Sequence, residues 1–284
     1  MANQRTTGAI VVGLDGSAWT RSARTWAIDQ AAAEHRPLLL VHAGAEPDRA
    51  VLDRAYAEAM RRFPALEVHR LLSASAPDDL LSELSAEAAM VVLGSRGRGP
   101  VRSLLLGSVG VAVTRHASCP VVVVRPGNPG IVRNGVLVGV DGERSQRALE
   151  FAFRQASLHA MPLTVLHTFV DSMAFGPTPG APVMVPAMSP LMLDARQQDL
   201  ENERLLLSEC LSGMQETHPD VHVSAELARG LPQALLLQRA ARMNLIVVGS
   251  HVGRSAAGLA FGSVSASMIE HATCPVAVVP AGRG

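Results

Sequence analysis

Short, continuously apolar runs alternate with amphipathic stretches along the first half of the chain. The runs predict five strands, at Ala9–Leu14, Leu38–Ala43, Leu66–Leu72, Met90–Leu93 and Val121–Val124. Helical patterns lie between them at about 18–35, 47–62, 77–88 and 107–117. Strands that are apolar throughout are typical of a sheet covered on both faces. Alternating strands and helices with right-handed crossovers therefore predict a doubly wound parallel α/β sheet.

The first predicted helix carries a core-facing stripe. Trp19, Ala23, Trp26, Ala27 and Ala31 share one face at helical spacing. We therefore expect both tryptophans in the core.

The second half repeats the first. Ile10–Gly16 matches Val136–Gly142, and Asp141 follows Asp15 by 126 positions. Matching strands are predicted at Gly135–Val140, Leu163–Thr168, Val221–Leu227, Leu245–Gly249 and Val276–Val279. The repeat predicts two homologous domains, at 1–127 and 134–284, joined by a Pro/Gly/Asn-rich linker near Pro126–Arg133.

The second copy is about 29 residues longer than the first, with the excess between His167 and Gly249, and most of the extra length is placed at Asp171–Pro190. Prolines at positions 177, 179, 182, 186 and 190 interrupt any helix or strand there. Two interpretations stay open, a surface excursion and a lid or partner-docking segment.

Composition excludes several functions. The 284-residue chain has 25 basic and 25 acidic residues, so no overall attraction to nucleic acid or an anionic membrane is indicated. All basic residues are arginine, and the absence of lysine excludes a Walker-A loop and Schiff-base or pyridoxal chemistry. Cys119, Cys210 and Cys274 form no metal-ligand cluster, and Cys119 and Cys274 are expected as small buried apolar residues. With no signal-peptide pattern and no apolar run near the roughly 20 residues of a membrane span, we expect a cytoplasmic protein.

A glycine-rich stretch at the end of the fourth strand has the spacing of a phosphate-binding loop, Gly-x2-Gly-x9-Gly-Ser. Glycines permit close backbone approach, and the following helix turns its free N–H groups and positive dipole end toward an anion. Arginines in the loop add positive potential (Arg96, Arg98 and Arg102). An ordinary Gly-rich turn with helix capping is the alternative. The motif residues are Gly94, Ser95, Arg96, Gly97, Gly107, Ser108 and Val109.

A strand order of 3-2-1-4-5 would bring further candidates to the same place. Ligands of open parallel sheets bind beyond the carboxyl ends of the strands where the order reverses, here between strands 1 and 4. Asp15 ends strand 1 and could accept ribose hydroxyls or hold a phosphate-bound Mg²⁺; the alternative is a capping residue in Asp-Gly-Ser. Strand 2 ends at Ala43, whose backbone could contact an adenine edge.

Three motifs together resemble the tandem-domain members of the universal stress protein (UspA) family, of actinobacterial type. They are Val12–Ser17, the Gly-x2-Gly-x9-Gly-Ser loop and His116–Val121, which recurs at His271–Val276. The resemblance covers Gly8–Arg125 and Asn134–Pro280. It implies a Rossmann-like, adenine nucleotide α-hydrolase-like fold in each half and the ATP-binding subclass. It further implies that Gly13, Asp15 and Ala43 face the nucleotide, that the loop residues hold its phosphates, and that two chains associate.

The second copy departs from this pattern in part. Its candidate residues are Gly139, Asp141, Thr168, Gly249, His251, Gly253, Arg254, Gly262, Ser263 and Val264. Val252 replaces the second motif glycine, and its branched side chain could obstruct the phosphate approach. We expect full ATP binding in the first copy and weaker, altered or lost binding in the second.

Turnover of ATP is not indicated. Hydrolysis needs a group that positions water near the γ-phosphate, and the loop contains no carboxylate or glutamine. His42, His116, His167 and His271 recur by duplication and are expected in structural or capping roles. We therefore predict an ATP-binding stress or growth regulator; the alternatives are a slow ATPase or related enzyme and a nucleotide-free interaction module.

The last strand of each copy would leave an apolar sheet edge. Exposed edges are normally paired or covered. We expect Val121–Val124 and Val276–Val279 to pair with each other and form a pseudo-twofold dimer within the chain.

Overall fold

A computed structural model describes residues 6–17, 19–95, 107–125, 133–169, 190–250 and 262–281. In the first half the strands are β1 (Ile10–Gly13), β2 (Leu38–Ala43), β3 (Val68–Ser73), β4 (Met90–Gly94) and β5 (Val121–Val124). The helices between them are α1 (Thr20–Ala33), α2 (Arg49–Arg62), α3 (Pro77–Leu84) and α4 (Ser108–His116).

The second half repeats this order. Its strands are β6 (Val136–Val140), β7 (Leu163–Phe169), β8 (Val223–Arg229), β9 (Leu245–Ser250) and β10 (Val276–Pro280). A 3₁₀ turn at Glu143–Ser145 precedes α5 (Gln146–Leu158), and α6 (Pro190–Leu211), α7 (Met214–Thr217), α8 (Pro232–Ala240) and α9 (Ser263–His271) follow. The predicted insertion (171–189) and most of the linker (126–132) lie outside the described residues, and the domain bounds stay a prediction.

The ten strands form one sheet in the order β3-β2-β1-β4-β5-β10-β9-β6-β7-β8. The predicted order 3-2-1-4-5 is therefore confirmed in the first half and recurs in the second. Neighbouring strands are parallel except at the centre, where β5 and β10 pair antiparallel with Val122 opposite Ala277. The predicted pairing of the two last strands is confirmed, and it joins the two halves into one continuous sheet.

Apolar side chains on both faces of the sheet form two cores. Along β1, Ile10 and Val12 pack in one core with α1 and α2, whereas Val11 packs in the other with Leu81 of α3. All four valines of β5 are buried. The continuous apolar runs of the sequence therefore reflect helices on both sides.

Cys119 and Cys274 lie just before the two central strands and are buried, as predicted. Burial raises the pKa of each thiol from 9.0 to about 12. Both thiols are therefore neutral near pH 7, and among the described residues no group of three or more His, Cys, Asp or Glu could hold a metal ion.

Trp19 corrects one expectation. It precedes α1, which begins at Thr20, and 38% of its surface is exposed. Trp19 is the N-cap residue with a helical backbone, so it continues the stripe but lies at the exposed end of the helix. Trp26, inside the helix, is partly buried against the core as expected.

Buried polar side chains connect α1 with the end of α5 across the junction. Gln30 donates from Nε2 to Oε1 of Gln155 at 2.9 Å and to Oε1 of Glu34 at 2.7 Å. His159 Nε2 lies 2.9 Å from Gln30 Oε1, which can only accept, so this ring nitrogen carries the proton. Both glutamines are about 1% exposed. The two halves are thus joined by a satisfied polar network as well as by strands.

This network predicts an acid-sensitive junction. Burial lowers the pKa of His159 below its ordinary value of 6.5, against the opposing charges of Glu34 and Asp29. The unfolded chain therefore takes up a proton first, so the contribution of His159 to unfolding stability is complete above pH 6.5 and is lost as the pH falls to the lowered value.

We expect His159→Gln, which stays neutral at every pH, to flatten the loss of melting temperature between about pH 7.5 and about pH 5. Thermal unfolding at a series of pH values measures this. The matched control is His222→Gln, because His222 is exposed. Equal pH slopes for wild type and His159→Gln would contradict the assignment.

Candidate functional site

The order of the strands reverses between β1 and β4 in the first half. β1 pairs with β2 on one side and with β4 on the other, both parallel. Their carboxyl ends therefore leave a crevice at one edge of the sheet, where open α/β sheets bind ligands. β6 stands in the same position between β7 and β9 in the second half.

Asp15 lies at the mouth of the first crevice, two residues after the end of β1. Its Oδ1 accepts from the Ser17 N–H at 2.8 Å and from the Thr20 hydroxyl at 3.1 Å. These bonds are the turn and capping contacts of the alternative interpretation. The other oxygen, Oδ2, is buried and has no partner in the part of the chain that the structure describes, and the same is true of the Ser17 hydroxyl. A buried carboxylate oxygen without a partner is costly, so half of this carboxylate is left for a group that the described residues do not supply.

Asp141, the counterpart in the second half, is arranged differently. Ser145 donates from Oγ to Asp141 Oδ1 at 2.7 Å and accepts from the Asp141 N–H at 2.9 Å. Ser145 is buried, whereas Asp141 is exposed. One serine therefore binds both the backbone and the carboxylate of Asp141.

The glycines at the strand ends have a packing role. A Cβ on Gly94 would lie 3.0 Å from the Trp19 carbonyl oxygen, at the start of α1. A Cβ on Gly13 would lie 3.0 Å from Leu93 of β4 and 3.1 Å from Leu81 of α3, and one on Gly139 would lie 3.2 Å from Leu236 of α8. These three glycines let helices approach the sheet, and ligand approach is not needed to explain them.

The helices that follow β4 and β9 begin without a side-chain cap. Gly107 is the N-cap of α4 and Gly262 that of α9, and neither helix start has a side-chain cap hydrogen bond. Ser108 and Ser263 are exposed at the first helical position, and Val109 and Val264 follow half-buried. In a right-handed crossover the helix starts at the carboxyl edge of the sheet, so these uncapped ends lie at the edge that carries Asp15 and Asp141.

The remaining predicted residues fall at strand ends or outside the described residues. Ala43 is the last residue of β2, Thr168 is next to last in β7, and Gly249 is next to last in β9. Ser95 is buried with its N–H bonded to the Val124 carbonyl at 3.1 Å. The loop residues Arg96, Gly97, His251, Val252, Gly253 and Arg254 lie outside the described residues, so their roles stay predictions.

The four duplicated histidines make contacts within the chain, as predicted. His116 and His271 bond the carbonyls of Ala112 and Ser267 one turn back in α4 and α9, at 2.9 and 3.1 Å. His42 and His167 are buried at the ends of β2 and β7.

Sequence reasoning missed the partners of the site residues. Thr20 and Ser145 bond the two aspartates, and Glu203 of α6 bonds His167. Thr20 and Ser145 follow Asp15 and Asp141 by five and four positions, at the start of the next helix. A hydroxyl residue at a helix start so close to an aspartate was the signal that could have identified these partners. Nothing in the sequence pairs Glu203 with a residue 36 positions away.

The family profile described as the universal stress protein family matches residues 52–125 and 133–280, one segment in each half. The chain belongs to the universal stress protein family. A universal stress protein of Mycobacterium tuberculosis strain H37Rv is 34% identical over 98% of this chain and 99% of its own length. Another, from Mycolicibacterium smegmatis, is 32% identical over the same shares.

Solved structures agree at the level of the fold. A protein of unknown function from Pseudomonas aeruginosa PAO1 matches 98% of this universal stress protein, and 95% of its own chain, with a TM-score of 0.71 and 16% identity. No helix among the described residues is both long and apolar enough to span a membrane.

The packing role of the glycines gives a graded prediction. Neither Gly94 nor Gly139 has a left-handed backbone, so alanine can adopt the φ angle at both positions without strain. Gly94→Ala should lower the unfolding free energy by about 1–3 kcal/mol, because its Cβ meets backbone that cannot move aside. Gly139→Ala should cost less, because its Cβ meets the flexible end of Leu236.

Urea unfolding of the two variants without added nucleotide measures the difference. A Gly94→Ala protein as stable as wild type would show that the contact with the start of α1 does not constrain this glycine.

Proposed function

We propose that this universal stress protein is a nucleotide-dependent stress or growth regulator that binds ATP beyond the carboxyl ends of β1 and β4. One observation carries the proposal: Asp15 Oδ2 and the Ser17 hydroxyl are both buried without a partner among the described residues, at the point where the strand order reverses. A nucleotide there would supply the missing partners, with its ribose hydroxyls donating to Oδ2. The uncapped start of α4 at the same edge supports a place for its phosphates.

Each part of the nucleotide has candidate contacts. The backbone of Ala43 would meet the adenine edge, and Gly107, Ser108 and Val109 would offer N–H groups to the phosphates. Arg96 and Gly97 would complete the loop. Carboxylate and hydroxyl oxygens are also the donors that Mg²⁺ prefers, so Asp15 and Ser17 fit a Mg²⁺ carried in by the phosphates.

We expect the second half to bind ATP more weakly. Asp141 is exposed, so water can satisfy its carboxylate, and Asp141 is not among the residues with a buried side-chain oxygen that lacks a partner. Val252 replaces a motif glycine in the loop, where His251 and Arg254 are the remaining basic candidates. The second half retains other candidate contacts for a nucleotide, namely Thr168, Gly249, Gly262, Ser263 and Val264.

Binding without turnover fits these contacts. ATP that binds the folded form and not the unfolded chain stabilises the folded form by mass action. A partner protein that binds the ATP-bound form preferentially would then respond to ATP. A cytoplasmic location and association of two chains are parts of the proposal that rest on the family resemblance.

A charge at the helix start tests the proposal without disturbing the fold. Ser108 is exposed at the first position of α4, where aspartate favours the helix by about 0.3–1 kcal/mol and repels a phosphate. Ser108→Asp should therefore keep or raise the melting temperature and weaken ATP binding in the first half at least tenfold, about 1.4 kcal/mol. Ser263→Asp should do the same in the second half. Calorimetric titration with ATP and Mg²⁺ measures both affinity and the number of sites.

Ser108→Asn is the matched control, because it is neutral and should bind ATP within a few-fold of wild type. Unchanged ATP affinity in Ser108→Asp would place the phosphates elsewhere and refute this site.

A further inference from the structure

His42 and His167 occupy equivalent places at the ends of β2 and β7. They are 4% and 6% exposed. His42 Nδ1 lies 2.5 Å from the Leu14 carbonyl oxygen, and His167 Nδ1 lies 2.8 Å from that of Val140. These carbonyls directly precede Asp15 and Asp141. Because a carbonyl oxygen only accepts, both histidines carry a proton on Nδ1.

The second ring nitrogen distinguishes the two halves. His167 Nε2 lies 2.6 Å from Glu203 Oε2, on α6. A carbonyl at one nitrogen and a carboxylate at the other are both acceptors. The pair therefore holds one proton more than a neutral imidazole and a carboxylate would. Since imidazole is a stronger base than a carboxylate, the proton belongs on His167.

The surroundings of His167 support an ion pair with this one carboxylate. In register, His167 stands between Val140 of β6 and Leu227 of β8, both uncharged. On the flanking elements, Glu226 of β8 is bonded to Arg239 and Arg229 has its own contact. Arg147, Glu150 and Arg154 lie on α5, and Asp141 follows β6. Among the described residues, Glu203 is the charged group bonded to the ring.

We propose that His167 is an imidazolium that, through Glu203, ties α6 to the ends of β6 and β7 and so positions Asp141 and Thr168 for the nucleotide. Asp141 follows the carbonyl that His167 holds, and Thr168 follows His167 itself. His167 is thus a positioning residue for the second half, and this role rests on the proposed function. The His167 side chain is buried, whereas one-third of the Glu203 side chain is exposed, so the ion pair reaches from the protein interior to the surface.

The first half is an internal comparison. His42 makes the same Nδ1 contact, and no contact of its Nε2 with a described residue is present. His42 therefore carries a proton on Nδ1, and no acceptor among the described residues requires a second proton on Nε2. The inference then requires the two histidines to differ in charge within one protein.

The ring protonation states can be read directly. The measurement is a ¹⁵N NMR spectrum of the full-length wild-type protein near neutral pH, with His42→Gln and His167→Gln used to assign the signals. His167 should show two protonated ring nitrogens. His42 should show one protonated and one unprotonated ring nitrogen. A neutral His167 would overturn the inference.

The positioning role is tested by the ATP affinity of the second-half site in a Ser108→Asp background, in which the first-half site is weakened at least tenfold. Glu203→Ala should weaken binding there by roughly tenfold, within the 5–150-fold range of ordinary coupling. Glu203→Gln should recover most of the loss, because its amide can donate to a neutral Nε2 and keep the tether. The matched control is Glu201→Ala, an exposed residue of the same helix, which should bind like the parent.

Unchanged affinity in Glu203→Ala would overturn the positioning role. Absence of ATP binding from the wild-type protein would overturn the proposed function and this role together. A neutral His167 in a protein that does bind ATP would overturn the further inference alone.

Discussion

The antiparallel pairing of β5 with β10 is the contact on which the rest of the structure depends. Each half taken alone would end in a strand of buried apolar residues with an unpaired edge. Pairing the two edges satisfies their backbone groups and makes one ten-stranded sheet. Arg125, just after β5, extends the junction by donating to the carbonyls of Ile269 and Glu270 at the end of α9. The orientation of the two candidate sites follows from this junction.

Duplication has preserved the backbone and changed the side-chain partners. Both halves place an aspartate after the first strand and a histidine at the end of the second. Yet Asp15, bonded by Ser17 and Thr20 through one oxygen, keeps the other oxygen buried and without a partner among the described residues, whereas Asp141 is exposed and bonded by Ser145. His167 gains Glu203, a partner that His42 lacks among the described residues. Two sites that look alike in strand order therefore differ in the hydrogen bonds left for a ligand.

Much of the fold could be predicted because it depends on local hydrophobic patterning. Continuous apolar runs mark strands covered on both faces. The last strand of each copy has an apolar, unpaired edge, and pairing the two edges with each other removes both. Trp19 was misplaced because the stripe shows which face of the helix is apolar but not how far along the helix the core extends, and Trp19 lies at the exposed N-cap. The glycines at 13, 94 and 139 could be located, but their packing against Leu93, Trp19 and Leu236 depends on tertiary contacts. For the same reason, sequence spacing could not find Thr20, Ser145 or Glu203.

The most direct test of the account is a count of nucleotide carried by the purified chain. Wild-type protein prepared without added nucleotide is denatured, and released ATP and ADP are separated by anion exchange and quantified per chain. The account predicts ATP, with the first half filled before the second. A protein that releases no nucleotide and binds none when ATP is added would contradict it, as would rapid conversion of added ATP to ADP.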